Sequence, residues 1–265
     1  MNIEKDTIIG IVGGMGPESG IALMNSILEH TNARTDQEHL SVILMSFPKH
    51  IADRTAFLEG AVATNPAFTI ARVIGMLEEA GAKVVGISCN TTHTREIFHT
   101  ILQELQKMQS KIKLVNMALE TCLFIKNNYA HVRRVGVMCT NGTYRSGVYT
   151  NLLQDMGYEV IMPDFKFQND VVHKMIYDTG YGIKSNPGCI SQEVTVLFNE
   201  AVGFFEKKKV NALILGCTEL SLAFKEKNNG NLPVVDAMDV LARALIREAI
   251  AIDVNKINVL PAYVS

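Results

Sequence analysis

The chain has 265 residues, 48% of them hydrophobic, and a formal net charge of -2 at pH 7. That length fits roughly two domains with ample core, while the near-neutral charge gives no field for nucleic acid or an anionic membrane surface. No apolar run approaches the ~18 residues that span a bilayer, and the mixed-charge start Met1–Asp6 is not expected to act as a secretory leader.

Apolar, β-branched runs predict strands at 7–12, 40–46, 83–88, 112–115, 133–138, 158–162, 210–215 and 232–235. The first runs into Gly13-Gly14-Met15-Gly16-Pro17, and Pro17 suits the first turn of a helix carrying Ile21, Met24, Ile27 and Leu28. This glycine-rich stretch invites a dinucleotide reading, but residue 19 is Ser where a third glycine belongs. Glu18 would also put negative charge where a pyrophosphate should sit. The same amides could hold a smaller anion such as a carboxylate. Further along, helical faces are predicted from Ile70, Val73, Ile74 and Leu77, and from Ile97, Ile101, Leu105 and Met108. Asn141-Gly142-Thr143 reads as a tight turn, and 163–190 as an irregular loop with a short helix, long enough to serve as a lid or binding loop. Later faces come from Val194, Leu197, Ala201, Phe204 and Phe205, then Leu241, Leu245, Ile246 and Ala249.

Strands that are apolar throughout and alternate with helices predict an α/β fold with parallel sheets covered on both faces. The pattern also repeats. Ile8-Ile9-Gly10-Ile11-Val12 and Arg134-Val135-Gly136-Val137-Met138 are glycine-bearing strands, and each is followed about 80 positions later by a strand ending in cysteine. Those endings are Gly86-Ile87-Ser88-Cys89-Asn90-Thr91 and Ile214-Leu215-Gly216-Cys217-Thr218-Glu219. The repeat divides the chain into 1–116, joined by 223–265, and 117–222, with 141–143 the counterpart of the Gly13-Gly14 loop. Sites in such sheets sit at the carboxyl ends of strands, where Cys89 and Cys217 both fall. A free cysteine is by default a small core residue. Two in matching contexts, each ahead of a helix start that favours a thiolate, point instead to facing thiols across a shared cleft.

Cys122, Cys139 and Cys189 lack that context and read as structural. Five cysteines in a chain of this size imply free thiols in a reducing, cytoplasmic setting. Cys89 and His93 have a ligand-like spacing, but no closely paired donors accompany them, so no metal is expected. Arg54 and Lys184 are by default surface cations; they gain interest if the ligand carries a distal carboxylate.

Gly13-Gly14-Met15-Gly16-Pro17, Asp36-Gln37-Glu38-His39, Asp53-Arg54-Thr55, Cys89-Asn90-Thr91-Thr92-His93, Gly142-Thr143 and Gly216-Cys217-Thr218-Glu219 together resemble the aspartate/glutamate racemase superfamily. The similarity runs nearly end to end, through Pro233-Val234-Val235-Asp236, and is nearest the cofactor-independent aspartate racemase branch. Glu219 stands where glutamate racemases typically have His, Thr92 where the family usually has Ala, and Asn186-Pro187 follows a Gly-x-Lys at Lys184 in a less typical way. The resemblance implies two pseudo-symmetric, Rossmann-like domains with the site between them, a homodimer, and racemisation without pyridoxal phosphate or any other cofactor. It implies that Cys89 and Cys217 are the acid/base thiols, the first serving the D-substrate and the second the L-substrate. Asn90, Thr91, Thr92 and Thr143 would bind the α-carboxylate or ammonium, and Arg54 and Lys184 a side-chain carboxylate; Met15, Thr218 and Glu219 complete the binding set. The implied partner is a small acidic amino acid, aspartate first. Glutamate, a broader amino-acid range or another small acid such as maleate are alternatives, as is a non-catalytic anion-binding regulator of the same fold. The presence of both cysteines argues against the last.

Overall fold

The computed structural model describes residues 6–224 and 232–259, the side chains of 254–259 excepted. The start 1–5 and the stretches 225–231 and 260–265, all allotted above to the first unit, lie outside the described residues. The eight predicted strands form two four-stranded sheets. In the first, β1 (Ile8–Gly13), β2 (Val42–Ser46), β3 (Ala82–Ile87) and β4 (Lys113–Val115) lie in the order β2-β1-β3-β4. In the second, β5 (Arg134–Cys139), β6 (Glu159–Ile161), β7 (Ala212–Gly216) and β8 (Val234–Asp236) lie in the order β6-β5-β7-β8. Every pairing is parallel, and the second order reproduces the first strand for strand.

The helices of the first half are α1 (Pro17–His30), α2 (Arg54–Leu58), α3 (Ala67–Glu79) and α4 (Arg95–Lys107). Then come α5 (Met117–Asn128), α6 (Asn141–Ser146), α7 (Val148–Asp155), α8 (Phe165–Phe167), α9 (Lys174–Tyr177), α10 (Gln192–Lys207), α11 (Thr218–Phe224) and α12 (Ala237–Val259). Central strands β1, β3, β5 and β7 are apolar apart from Lys83 and Arg134 near the starts of β3 and β5, because both faces are covered. Leu23 and Ile27 of α1 and Leu241 and Leu245 of α12 pack on one face of the first sheet; Ile70, Ile74 and Leu77 of α3 and Ile97 and Ile101 of α4 cover the other. Each such buried aliphatic contributes about 1.5–3 kcal/mol. The second sheet is covered likewise, by α5 and α7 on one side and α9 and α10 on the other. No helix among the described residues is long and apolar enough to cross a membrane.

Four local readings are corrected. Ile21 and Leu28 of α1 are exposed, and the buried face carries Ser19, Gly20, Leu23 and Ile27 instead. The helix lies so close to β1 that a Cβ on Gly20 would come within 2.7 Å of Leu44 and 3.1 Å of the Gly13 backbone, so small residues face inward. Met108 lies past the end of α4 and is exposed. Residues 165–177 are one continuous helical run, α8 and α9 joined through a π-helical stretch Gln168–His173, and the irregular loop begins only at Asp178. Asn141-Gly142-Thr143 opens α6 rather than a tight turn, with Thr140 as its cap.

The strand near 232–235 also departs from the allotment of 223–265 to the first unit. β8 extends the second sheet, Val234, Val235 and Asp236 aligning with Leu213, Ile214 and Leu215 of β7. Only the helix after it returns to the first half, where α12 buries its apolar stripe against α1 and β3. A three-residue apolar run carries no mark of which sheet edge it will join.

Candidate active site

The loops that leave β1, β3, β5 and β7 at their carboxyl ends meet between the two sheets. Met15 follows β1, Cys89, Asn90 and Thr91 follow β3, Thr140 follows β5, and Cys217, Thr218 and Glu219 follow β7. With Arg54 at the start of α2, Tyr177 at the end of α9 and Lys184 in the loop beyond, they line one cavity of only about 10 Å³, room for about one water. Both cysteines are in that lining, and both are buried and free.

The halves are joined by direct polar contacts. Thr91 Oγ1 lies 3.0 Å from both Thr140 Oγ1 and Thr143 Oγ1, which are 3.2 Å apart. Gly142 admits this approach, since a Cβ there would fall 3.0 Å from Thr55 Oγ1 and 3.1 Å from the Thr91 methyl. The Tyr149 hydroxyl of α7 donates to Asn90 Oδ1, leaving the Asn90 amide nitrogen buried without a partner among the described residues. An unspent donor in a cavity wall is a place for an acceptor on a ligand. Asp53 caps α2 and accepts from the Tyr177 hydroxyl at 3.1 Å, another contact from half to half.

The two thiols have opposite neighbours. Arg54, 6% exposed, donates to the Met15 carbonyl at 3.1 Å and lines the cavity together with Cys89. Burial alone would lower its pKa, but Cys89, Tyr177 and Asp53 together raise it, so the guanidinium is a permanent cation. Cys217 instead donates its S–H to Glu219 Oε2 at 3.0 Å. Burial, reinforced by that carboxylate, pushes the Cys217 thiol well above the usual thiol range, so it holds its proton. Glu219 also accepts from Lys184 Nζ, from the Gly16 amide at 3.2 Å and from Thr218 Oγ1 at 3.1 Å. Burial by itself would raise the Glu219 carboxyl, yet Lys184 keeps it below the carboxylate range, and Lys184 is held charged in return.

Of the residues singled out from sequence, Met15, Arg54, Cys89, Asn90, Thr91, Lys184, Cys217, Thr218 and Glu219 share the lining. Thr92 and Thr143 stand behind it: the Thr92 hydroxyl donates to the Cys89 carbonyl at 2.5 Å, and Thr143 braces Thr91. The segment after Cys89 is a short 3₁₀ turn, Asn90–His93, with α4 beginning only at Arg95. A strong helix dipole therefore does not act on Cys89, and the Arg54 side chain supplies the positive charge there. Thr140 and Tyr177 were not foreseen. Thr140 is adjacent to residues 141–143 and caps the helix they open, a readable signal; nothing in the sequence marks Tyr177, which arrives at the end of a helical run inside the segment expected to be an irregular loop with a short helix.

Residues 12–245 match the sequence profile of the family described as Asp/Glu/Hydantoin racemase. Among solved structures, the aspartate racemase of Picrophilus torridus is similar at 28% identity, with a TM-score of 0.75, covering 92% of this chain and 94% of that one. An aspartate racemase homologue from Pyrococcus horikoshii shares the fold at 22% identity and a TM-score of 0.67, covering 92% and 99%. A glutamate racemase from Francisella tularensis, solved with D-glutamate, shares it at 16% identity and 0.61, covering 94% and 82%.

Proposed function

The chain belongs to the Asp/Glu/hydantoin racemase family, and from that premise we propose that it interconverts L- and D-aspartate through Cys89 and Cys217, without pyridoxal phosphate. The observation that carries this reading is the shared lining: two buried thiols, from equivalent strand ends of two equivalent sheets, border one cavity with two cations beside them. Racemisation removes a proton from one face of Cα and delivers one to the other, so it needs two acid/base groups on opposite sides. The thiols must be treated as a coupled pair with one proton between them. Cys217, protonated as it stands here, is placed to give a proton to Cα, its part with a D-substrate, whose own Cα proton goes to the Cys89 sulfur. The L-substrate needs the reverse arrangement, with the proton on Cys89.

No imine is available to delocalise the carbanion, so the barrier falls to positioning and electrostatics. Holding the substrate between the sulfurs in a dry cleft supplies roughly 7–11 kcal/mol. The unspent Asn90 amide and the threonine cluster are suited to the α-carboxylate, whose extra charge grows as the proton leaves. Arg54 and Lys184 suit the distal carboxylate, which favours aspartate over a neutral amino acid. A homodimer is part of the same reading, and light scattering would check it. The test of function is incubation with L-aspartate in deuterated water, with no cofactor added. Chiral chromatography is expected to show D-aspartate carrying deuterium at Cα. Absence of exchange across a panel of acidic and neutral amino acids would end the racemase reading.

A further inference from the structure

A second cavity, of about 180 Å³, lies immediately outside the first, bordered by Gly16, Glu18, Ile183 and Pro187. The two chambers share two lining residues, the ion-paired Lys184 and Glu219; Gly16 borders only the outer one, and its amide donates to Glu219. The outer chamber is the larger by far, and the inner one holds about a single water. The wall between them is thus an ion pair rather than backbone, and side chains can part where backbone cannot.

Lys184 is already satisfied by a carboxylate that belongs to the protein, as is the Gly16 amide on the α1 side of the cleft. We infer that Glu219 is a specificity-determining gate: its carboxylate occupies, on Lys184, the position that an acidic substrate's distal carboxylate must take, and a ligand carrying such a group displaces it and reaches the thiols far more readily than one without. The inference rests on the acidic-substrate reading above. A neutral amino acid has nothing to exchange for Glu219, so parting the pair would leave two buried charges unmatched. A dicarboxylate replaces one anion by another on the same cation, so Lys184 is never left unmatched. Glu219 acts here through Lys184, as a positioning residue, and it need not touch the reacting carbon.

The test uses succinate, a dicarboxylate without an α-ammonium group, and butyrate, its monocarboxylate counterpart, titrated calorimetrically into the full chain. Removing the internal competitor with Glu219→Gln is expected to tighten succinate about tenfold, the scale of one charged hydrogen bond, with butyrate changed less than about twofold. Glu219→Asp keeps the charge but shortens the reach, and is expected to tighten succinate about threefold on the same scale; it decides the matter if the Gln variant does not fold. Adding Lys184→Met should abolish either gain. A gain in affinity cannot come from a merely damaged fold. Succinate affinity unchanged or weakened in both variants would overturn the gate. Cα exchange of aspartate by the unmodified protein is measured alongside: exchange without any gain in the variants sinks the gate alone, whereas no exchange and no succinate binding sinks the function on which it rests.

Discussion

Cys89 and Cys217 occupy equivalent places, each just past the strand that flanks the glycine-bearing one in its sheet. Their backbone settings agree, and their electrostatic settings are opposed. The first has the Arg54 guanidinium, brought in by α2; the second has the Glu219 carboxylate, two residues along its own chain. In a buried site such neighbours act with little screening, so the two sulfurs are not interchangeable at rest. The repeated topology supplies two matching positions, and side chains from non-matching elements make one of them a proton donor.

The comparison breaks outright if either sulfur is dispensable. Cys89→Ser and Cys217→Ser are each expected to slow aspartate racemisation by about 10³-fold, within the range for a positioned acid or base; chiral chromatography would follow it. A single variant that kept the original rate would leave no role for a pair. Because the enantiomers have equal free energy, kcat/KM must be the same in both directions. Inequivalence of the thiols has to be sought in kcat alone or in isotope exchange.

Neutralising the cations comes next. Arg54→Met or Lys184→Met should lower kcat/KM for aspartate by about 10²-fold, while alanine, with no distal carboxylate, changes by less than about tenfold. Equal losses for both amino acids would mean that the cations serve the thiols or the fold rather than the substrate.

His93 sharpens the comparison on the Cys89 side alone. Its Nδ1 donates to the Cys89 carbonyl at 3.0 Å, and burial pushes the imidazole down to about 4. The unfolded chain protonates this histidine near pH 6.5 and the folded chain only near 4, so the unfolded state binds the extra proton between them. Stability from this residue is therefore full above about pH 6.5 and falls as pH drops towards 4, by up to about 3 kcal/mol. In His93→Gln that part of the pH slope should vanish from urea midpoints; an identical slope would contradict the burial argument.

The smallest effect is expected at Tyr177→Phe, which removes the hydroxyl that donates to Asp53 and should cost about 1 kcal/mol. A slightly lower Tm with KM raised a few-fold would fit a contact that helps close the cleft. An unchanged KM would make it simply part of the scaffold.

The strands and the two cysteines were legible because central parallel strands are predominantly apolar and end where sites form. Arg54, Lys184 and Glu219 were legible only through motif resemblance, and their mutual arrangement was not legible at all. Nothing local to residues 184 and 219 shows that they pair, since 35 positions and a whole helix separate them. The face of α1 is hard to read for a related reason: the close approach of Gly13 and Gly20 puts small residues beside Leu23 and Ile27 on the inward face and leaves Ile21 and Leu28 outside. That β8 joins the second sheet is not legible, because three residues carry too little pattern to mark an edge.

The inequivalence of the thiols is tested most directly by solvent-deuterium incorporation at Cα, followed separately for L- and D-aspartate in the two serine variants. Serine keeps the size of cysteine but is a far weaker base. Cys89→Ser should lose exchange from D-aspartate and keep it from L-aspartate, and Cys217→Ser should show the reverse. Equal loss from both enantiomers in both variants would contradict the assignment of one thiol to each face.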